Sequence, residues 1–200
     1  MPSILRPSRI AALGAAFLWL GACATPAPPQ PQYPPIAFED RGPIHLEVGE
    51  VEVELAYRAP DAPPNVDHLF PVRPADAARR WPGDRLVAAG TGFRARFVIK
   101  DAAVVAVPLE QSGGLTGLLT QEQSERYDAR LAVELVILDT QNRQVASARA
   151  EAVRSRSVPE DITLSEREQV WYEMTRTLMS ELDKQLEQTI RTSLTPYVLQ

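Results

Sequence analysis

The 200-residue sequence predicts an α+β domain: a two-layer fold with an antiparallel sheet of about four strands and two helices packed on one face, in the order β-α-β-β-β-α. Three observations carry this reading. Tyr127, Ala129, Leu131, Val133, Leu135 and Ile137 fall on one face of a strand of period two. Beyond the turn-forming run Asp139–Arg143, a return strand places Ala146, Ala148, Ala150 and Ala152 on one face. Trp171, Met174, Leu178, Leu182, Leu186, Ile190 and Leu194 then recur at steps of three or four, the period of a one-sided helix. Four small side chains in a row leave room for something bulky, and this last helix is the candidate to fill it.

The remaining elements follow in chain order. Ile44, Leu46 and Val48 alternate with polar residues, and Val51, Val53, Leu55 and Tyr57 alternate in the opposite phase. A bulge at Gly49 would absorb the slip and keep one strand; two short strands joined by a tight turn fit the same pattern. Glu50, Glu52 and Glu54 form the polar face of the second half. Residues 58–73 hold four prolines and read as loop. Pro74 suits a first helical position, and Trp81, Arg85, Leu86 and Ala89 continue at helical spacing, with Pro82 predicting a kink or a helix in two pieces. Gly90 and Gly92 are expected to end it. Phe93, Ala95, Phe97 and Ile99 predict the second strand, which runs on through Val104–Val107 to Pro108. Its other face, with Arg94, Arg96 and Lys100, is placed to pair with the glutamates of the first strand if the two are neighbours. Ser165 and Glu168 fit a capping box at the start of the last helix, roughly 25 residues long at ~1.5 Å rise per residue.

The N-terminal end is of another kind. Arg6 and Arg9 precede an apolar stretch, Ile10 to Leu20, and then Leu20-Gly21-Ala22-Cys23. Eleven apolar residues are too few to span a bilayer, which needs ~20. A charged region, a short apolar core and small residues before a cut make a cleavable leader, with Ala22 as the last residue removed. Cys23 is the one cysteine of the chain, so no disulfide is expected. Residues 24–35 are half proline and uncharged, the composition of an extended tether. The organisation predicted is a signal segment over 1–22, Cys23 and a tether over 23–40, and a single domain over 41–200.

Loss of the leader removes two arginines and leaves 19 basic residues against 26 acidic ones, a net charge of −7. That balance argues against general nucleic-acid binding. His45 and His68 are the only histidines, each beside a carboxylate, and a solvated or locally bonded imidazole describes them better than a catalytic base. No metal-ligand spacing, nucleophile elbow or phosphate loop occurs, so neither enzymatic activity nor a metal or cofactor is expected. Three features suit binding instead. One is the glycine-jointed apolar loop with Leu115, Leu118 and Leu119, suited to inserting into a partner or lipid or to folding back on the core. Another is an arginine set: Arg143, Arg149, Arg154 and Arg156 on and after the return strand, facing Arg126 and Arg130. On one sheet face these would clamp an anionic headgroup; paired with neighbouring carboxylates they would be a solvated face. The last is the pair Trp171 and Tyr172, the first expected in the core and the second exposed.

The tetrad Leu20-Gly21-Ala22-Cys23 resembles the lipobox of bacterial lipoproteins. The resemblance implies that Cys23 becomes the first residue and carries acyl chains, palmitate among them, that hold the protein on a membrane. Ala24 stands where such lipoproteins carry aspartate when retained in the inner membrane, which implies the outer membrane, facing the periplasm. With the order of elements that follows, the chain resembles the small envelope lipoproteins of lipopolysaccharide assembly and the auxiliary lipoproteins of ABC-type lipid transporters. That implies a non-catalytic accessory component whose partner is an envelope protein or an anionic lipid; a structural, scaffolding lipoprotein is the alternative.

Overall fold

The computed structural model describes residues 32–38, 40–110 and 123–199. Cys23, Ala22 and the loop leucines Leu115, Leu118 and Leu119 lie outside these residues. The elements are β1 (Ile44–Leu46), β2 (Val51–Leu55), α1 (Pro74–Arg85), β3 (Leu86–Ala88), β4 (Arg94–Asp101), β5 (Val104–Pro108), β6 (Gln123–Leu138), β7 (Gln144–Pro159) and α2 (Leu164–Ser193). The class is α+β with both helices against one face of the main sheet, but the sheet is mixed and the strands are more numerous than predicted.

The hairpin β6–β7 is the backbone of the domain. Its strands are 16 residues each and pair antiparallel from Leu138↔Gln144 to Gln123↔Pro159. With β7 on one edge of β6, the other edge takes β4 (Phe97↔Leu135) and then β5 (Val104↔Ala129) end to end. The single long strand expected over 93–108 is therefore one row, broken by a register shift between Ile99 and Asp101. Beyond β4 lies β2, paired parallel with Val53 opposite Phe97. A parallel partner needs a crossover, and the chain from 56 to 93, with α1, supplies it.

The slip at Gly49 is a parting of strands, not a bulge. Strand β1 leaves the main sheet and pairs parallel with β3, Ile44 opposite Leu86, while the C-terminal stretch closes its other edge through Leu199 N–H to His45 C=O at 2.9 Å. This also corrects the predicted end of α1. Pro82 lies within the helix and lacks the N–H that would bond back to Ala78, and the helix stops at Arg85 instead of Ala89. Leu86–Ala88 go straight into β3. Gly90 has a different task from helix capping: a Cβ there would sit 2.6 Å from the Glu47 backbone, so only glycine lets the two segments touch.

The cap of helix α2 lies two residues before the expected one. The reciprocal box is Thr163 with Glu166, not Ser165 with Glu168; both pairs have the right spacing, and Thr163 is the one whose backbone turns extended at the helix start. The predicted apolar stripe is the buried one: Leu178, Leu182, Leu186, Ile190 and Leu194 are fully covered, and Trp171 and Met174 nearly so. They meet Ala148, Ala150 and Ala152 of β7, also buried, so small residues on the strand accept large ones from the helix. Each fully buried Leu contributes roughly 1.5–3 kcal/mol of transfer free energy. Trp81 of α1 stacks on Phe97 with centroids 5.5 Å apart, and Trp171 of α2 meets Tyr127 edge-on at 5.5 Å. Ile36 and Phe38, in the stretch read as tether, are buried in the same core. Among the described residues no helix is long and apolar enough to cross a membrane.

Candidate binding surface

A groove of about 500 Å³ runs between the C-terminal part of β7 and the first half of α2. Arg154, Ser155 and Arg156 form one wall; Gln169, Glu173 and Thr177 form the other, with Val170 and Met174 on the apolar lining. Helix period places this wall, because 166, 170, 173 and 177 recur at steps of three or four on one side of α2. Strand period places the other, because Arg154 and Arg156 share parity with Ala148, Ala150 and Ala152 and so face the helix.

The charges at the groove are mostly engaged. Arg154 bonds Glu181 of α2. Arg176 donates to Glu173 at 2.6 Å. The Thr163 hydroxyl and backbone N–H hold the Glu166 carboxyl below its usual range. Arg156 is exposed and has no ion pair with any described residue.

Of the two readings open for the arginine set, the described residues show pairing with carboxylates and not a shared clamp. Arg149 and Arg154 are five residues apart on one strand, and an odd offset sends them to opposite faces. Arg149 lies on the face away from the helices, 2.9 Å from Glu134, which Lys100 also approaches at 3.3 Å. Burial alone would raise the Glu134 carboxyl, but these two cations outweigh it and hold it below the ordinary range. Arg143 sits at the hairpin turn, 2.8 Å from Asp139, whose carboxylate is held low first by the Arg143 backbone N–H. Arg126 pairs with Asp128 and Arg130 with Glu151. The pairing foreseen between the first and second strands is present: Arg96 lies 3.1 Å from Glu52, and Arg94 reaches Glu50 at 3.7 Å and Glu52 at 3.5 Å.

His45 is exposed on β1, opposite Val87. His68 lies in a short helical turn beside Asp67, whose burial raises its carboxyl; the Tyr57 hydroxyl donates to Asp67 Oδ1 at 3.4 Å, and burial with that neighbouring carboxylate raises the phenol in turn. No group of three or more metal-ligating side chains occurs among the described residues. Trp171 is in the core, and Tyr172 is half-buried with its ring 5.2 Å from that of Tyr33.

Sequence reasoning missed a buried ionic junction between the helices. Asp183 Oδ1 accepts from Trp81 Nε1 and from Arg85 Nε, each at 2.9 Å. Arg85 also donates to the carbonyls of Arg41 and Gly42 and bonds Glu187, and Arg41 approaches Asp183 Oδ2 at 3.2 Å. The signal was in the spacing: Asp183 follows Met179 by four and precedes Leu186 by three, on the apolar stripe, just as Arg85 follows Trp81 by four.

No family model and no curated protein matches the chain. Some solved structures are matched at low scores. A minor lipoprotein from Acinetobacter baumannii is 16% identical with a TM-score of 0.36, over 78% of this chain and 98% of that one. Rare lipoprotein B from Shewanella oneidensis is 12% identical with a TM-score of 0.35, over 70% and 95%. A Xanthomonas campestris protein of the DUF330 family model is 12% identical with a TM-score of 0.34, over 81% and 90%.

Proposed function

We propose that this chain is a lipid-anchored, non-catalytic accessory component of a cell-envelope assembly that handles lipid or lipopolysaccharide, held on the periplasmic side of the outer membrane through Cys23. The β7–α2 groove is the observation that supports a binding role. It combines an apolar lining at Val170 and Met174 with Arg156, exposed and without an ion pair to any described residue, the two components an anionic amphiphile needs. Acyl chains on Cys23 would bury ~0.8 kcal/mol per methylene, and more than one chain makes anchoring stable.

Two measurements test this. Cells labelled with palmitate should mark the wild-type protein and leave a Cys23→Ser variant unmarked and released from the membrane fraction. Mass spectrometry of lipid extracted from the purified protein should find phospholipid or lipopolysaccharide, depleted in an Arg156→Glu variant. An unmarked wild-type protein refutes the anchoring. A marked protein without lipid favours the scaffolding alternative, which the engagement of Arg126, Arg130, Arg143, Arg149 and Arg154 by carboxylates supports.

A further inference from the structure

Among the described residues the outer edge of β2 is an unpaired strand edge with a side-chain code. In the main sheet β2 is the end strand, bonded to β4 alone. Its hydrogen-bond parity follows from two contacts: Ala95 N–H donates to Glu50 C=O, and Ala56 N–H donates to Ile99 C=O. Even-numbered residues therefore bond inward to β4, and the N–H and C=O groups of Val51, Val53 and Leu55 point away from the sheet. No described residue pairs with them.

Side chains alternate on this edge as well. Val53 and Leu55 are 43% and 39% exposed on the helix-facing side. Glu50, Glu52 and Glu54 stand on the other side, 55%, 39% and 52% exposed. Two cations, Arg94 and Arg96, serve these three carboxylates, so the row keeps an acidic excess. A second copy is a poor occupant. In an antiparallel pair of two β2 edges, outward-bonding residues must face one another, which sets glutamate opposite glutamate, and like charges directly opposed destabilise a pair. Acidic residues of this kind guard an edge against its own kind, while leaving it open to the opposite charge.

We infer that the β2 edge takes up an extended segment of a partner protein in which apolar and basic side chains alternate, added to the sheet as a further strand. The partner's backbone would bond Val51, Val53 and Leu55, its apolar residues would cover Val53 and Leu55, and its basic residues would meet the glutamate row. This names a partner class for the accessory role proposed above and rests on that role for where the partner is met. The test below needs no anchor, so failure at Cys23 and failure at β2 read out separately.

The experiment measures fluorescence anisotropy of two labelled eight-residue peptides, one alternating valine with lysine and one alternating valine with glutamate, against the full chain in detergent. The lysine peptide should bind at least about fivefold tighter than the glutamate peptide. Val53→Pro removes an outward N–H that β4 does not use and should weaken binding about tenfold. Glu50→Lys with Glu54→Lys should reverse the preference and decides the question if the proline variant fails to fold. Equal binding of both peptides, or an unchanged preference in the charge-reversed variant, overturns the inference. Sedimentation showing a dimer that Val53→Pro dissolves would also overturn it, in favour of a second copy on this edge.

Discussion

At the α1–α2 junction Arg85 and Asp183 are 1% and 0% exposed, whereas on the open face of the sheet Arg96 and Glu52 are 37% and 39% exposed. The distances are nearly the same, 2.9 and 3.1 Å. What differs is the surrounding medium. In the junction both ions have left water, and each is held by several bonds: Asp183 by Trp81 and Arg85, Arg85 by Glu187 and two backbone carbonyls. On the sheet face water screens the pair, and the side chains remain free to part. Burial, more than geometry, decides what an ion pair does for the fold.

The largest expected effect is at the junction. Asp183→Ala strands the Arg85 charge and the Trp81 N–H in the core, and should cost ~3–5 kcal/mol in urea denaturation. Arg85→Met combined with Asp183→Leu should cost less than Asp183→Ala alone, since no fully buried ion is left unpaired, although the Trp81 N–H and the part-exposed Arg41 still lose their acceptor. A cheap single variant would break the comparison. Next is Leu182→Ala, beside Asp183 on the same helix face, at ~2–5 kcal/mol by the same measurement; a loss under ~0.5 kcal/mol would mean that face does not bear on the sheet.

A smaller effect separates the regions by pH. Burial pushes the Glu187 carboxyl up, but Arg191 and Arg85 together hold it below its ordinary range. A depressed folded pKa gives stability that is present above about pH 4.3 and lost as pH falls through the folded value. The melting temperature of wild type should therefore exceed that of Glu187→Gln at pH 7, and the gap should close on acidification toward about pH 3. The smallest change is Glu52→Gln on the sheet face, which should shift stability by no more than about 0.5 kcal/mol and lose even that in 1 M salt.

Legibility in the sequence divides along similar lines. The β6–β7 hairpin, its alanine stripe and the apolar face of α2 were readable because each is a local period repeated over many residues, and the strand through 104–107 because its neighbours share one pattern. The parting of β1 from β2 was not, since alternation reads the same whether a slip is a bulge or a change of sheet. The separation of Arg149 from Arg154 was readable in principle from their odd offset along one strand. The groove beside Arg156 was not, because its two walls lie on different elements and their approach is not encoded in either.

Local chemistry thus set the α+β class and the long helix, since propensity and period act within a few residues. Folding supplied the parallel alignment of β2 with β4, the free edge this leaves at Val51–Leu55, and the meeting of Arg85 with Asp183 across 98 positions of chain. Those depend on which surfaces come to share one core, a choice made by the summed burial of the whole domain and not by any one segment of it.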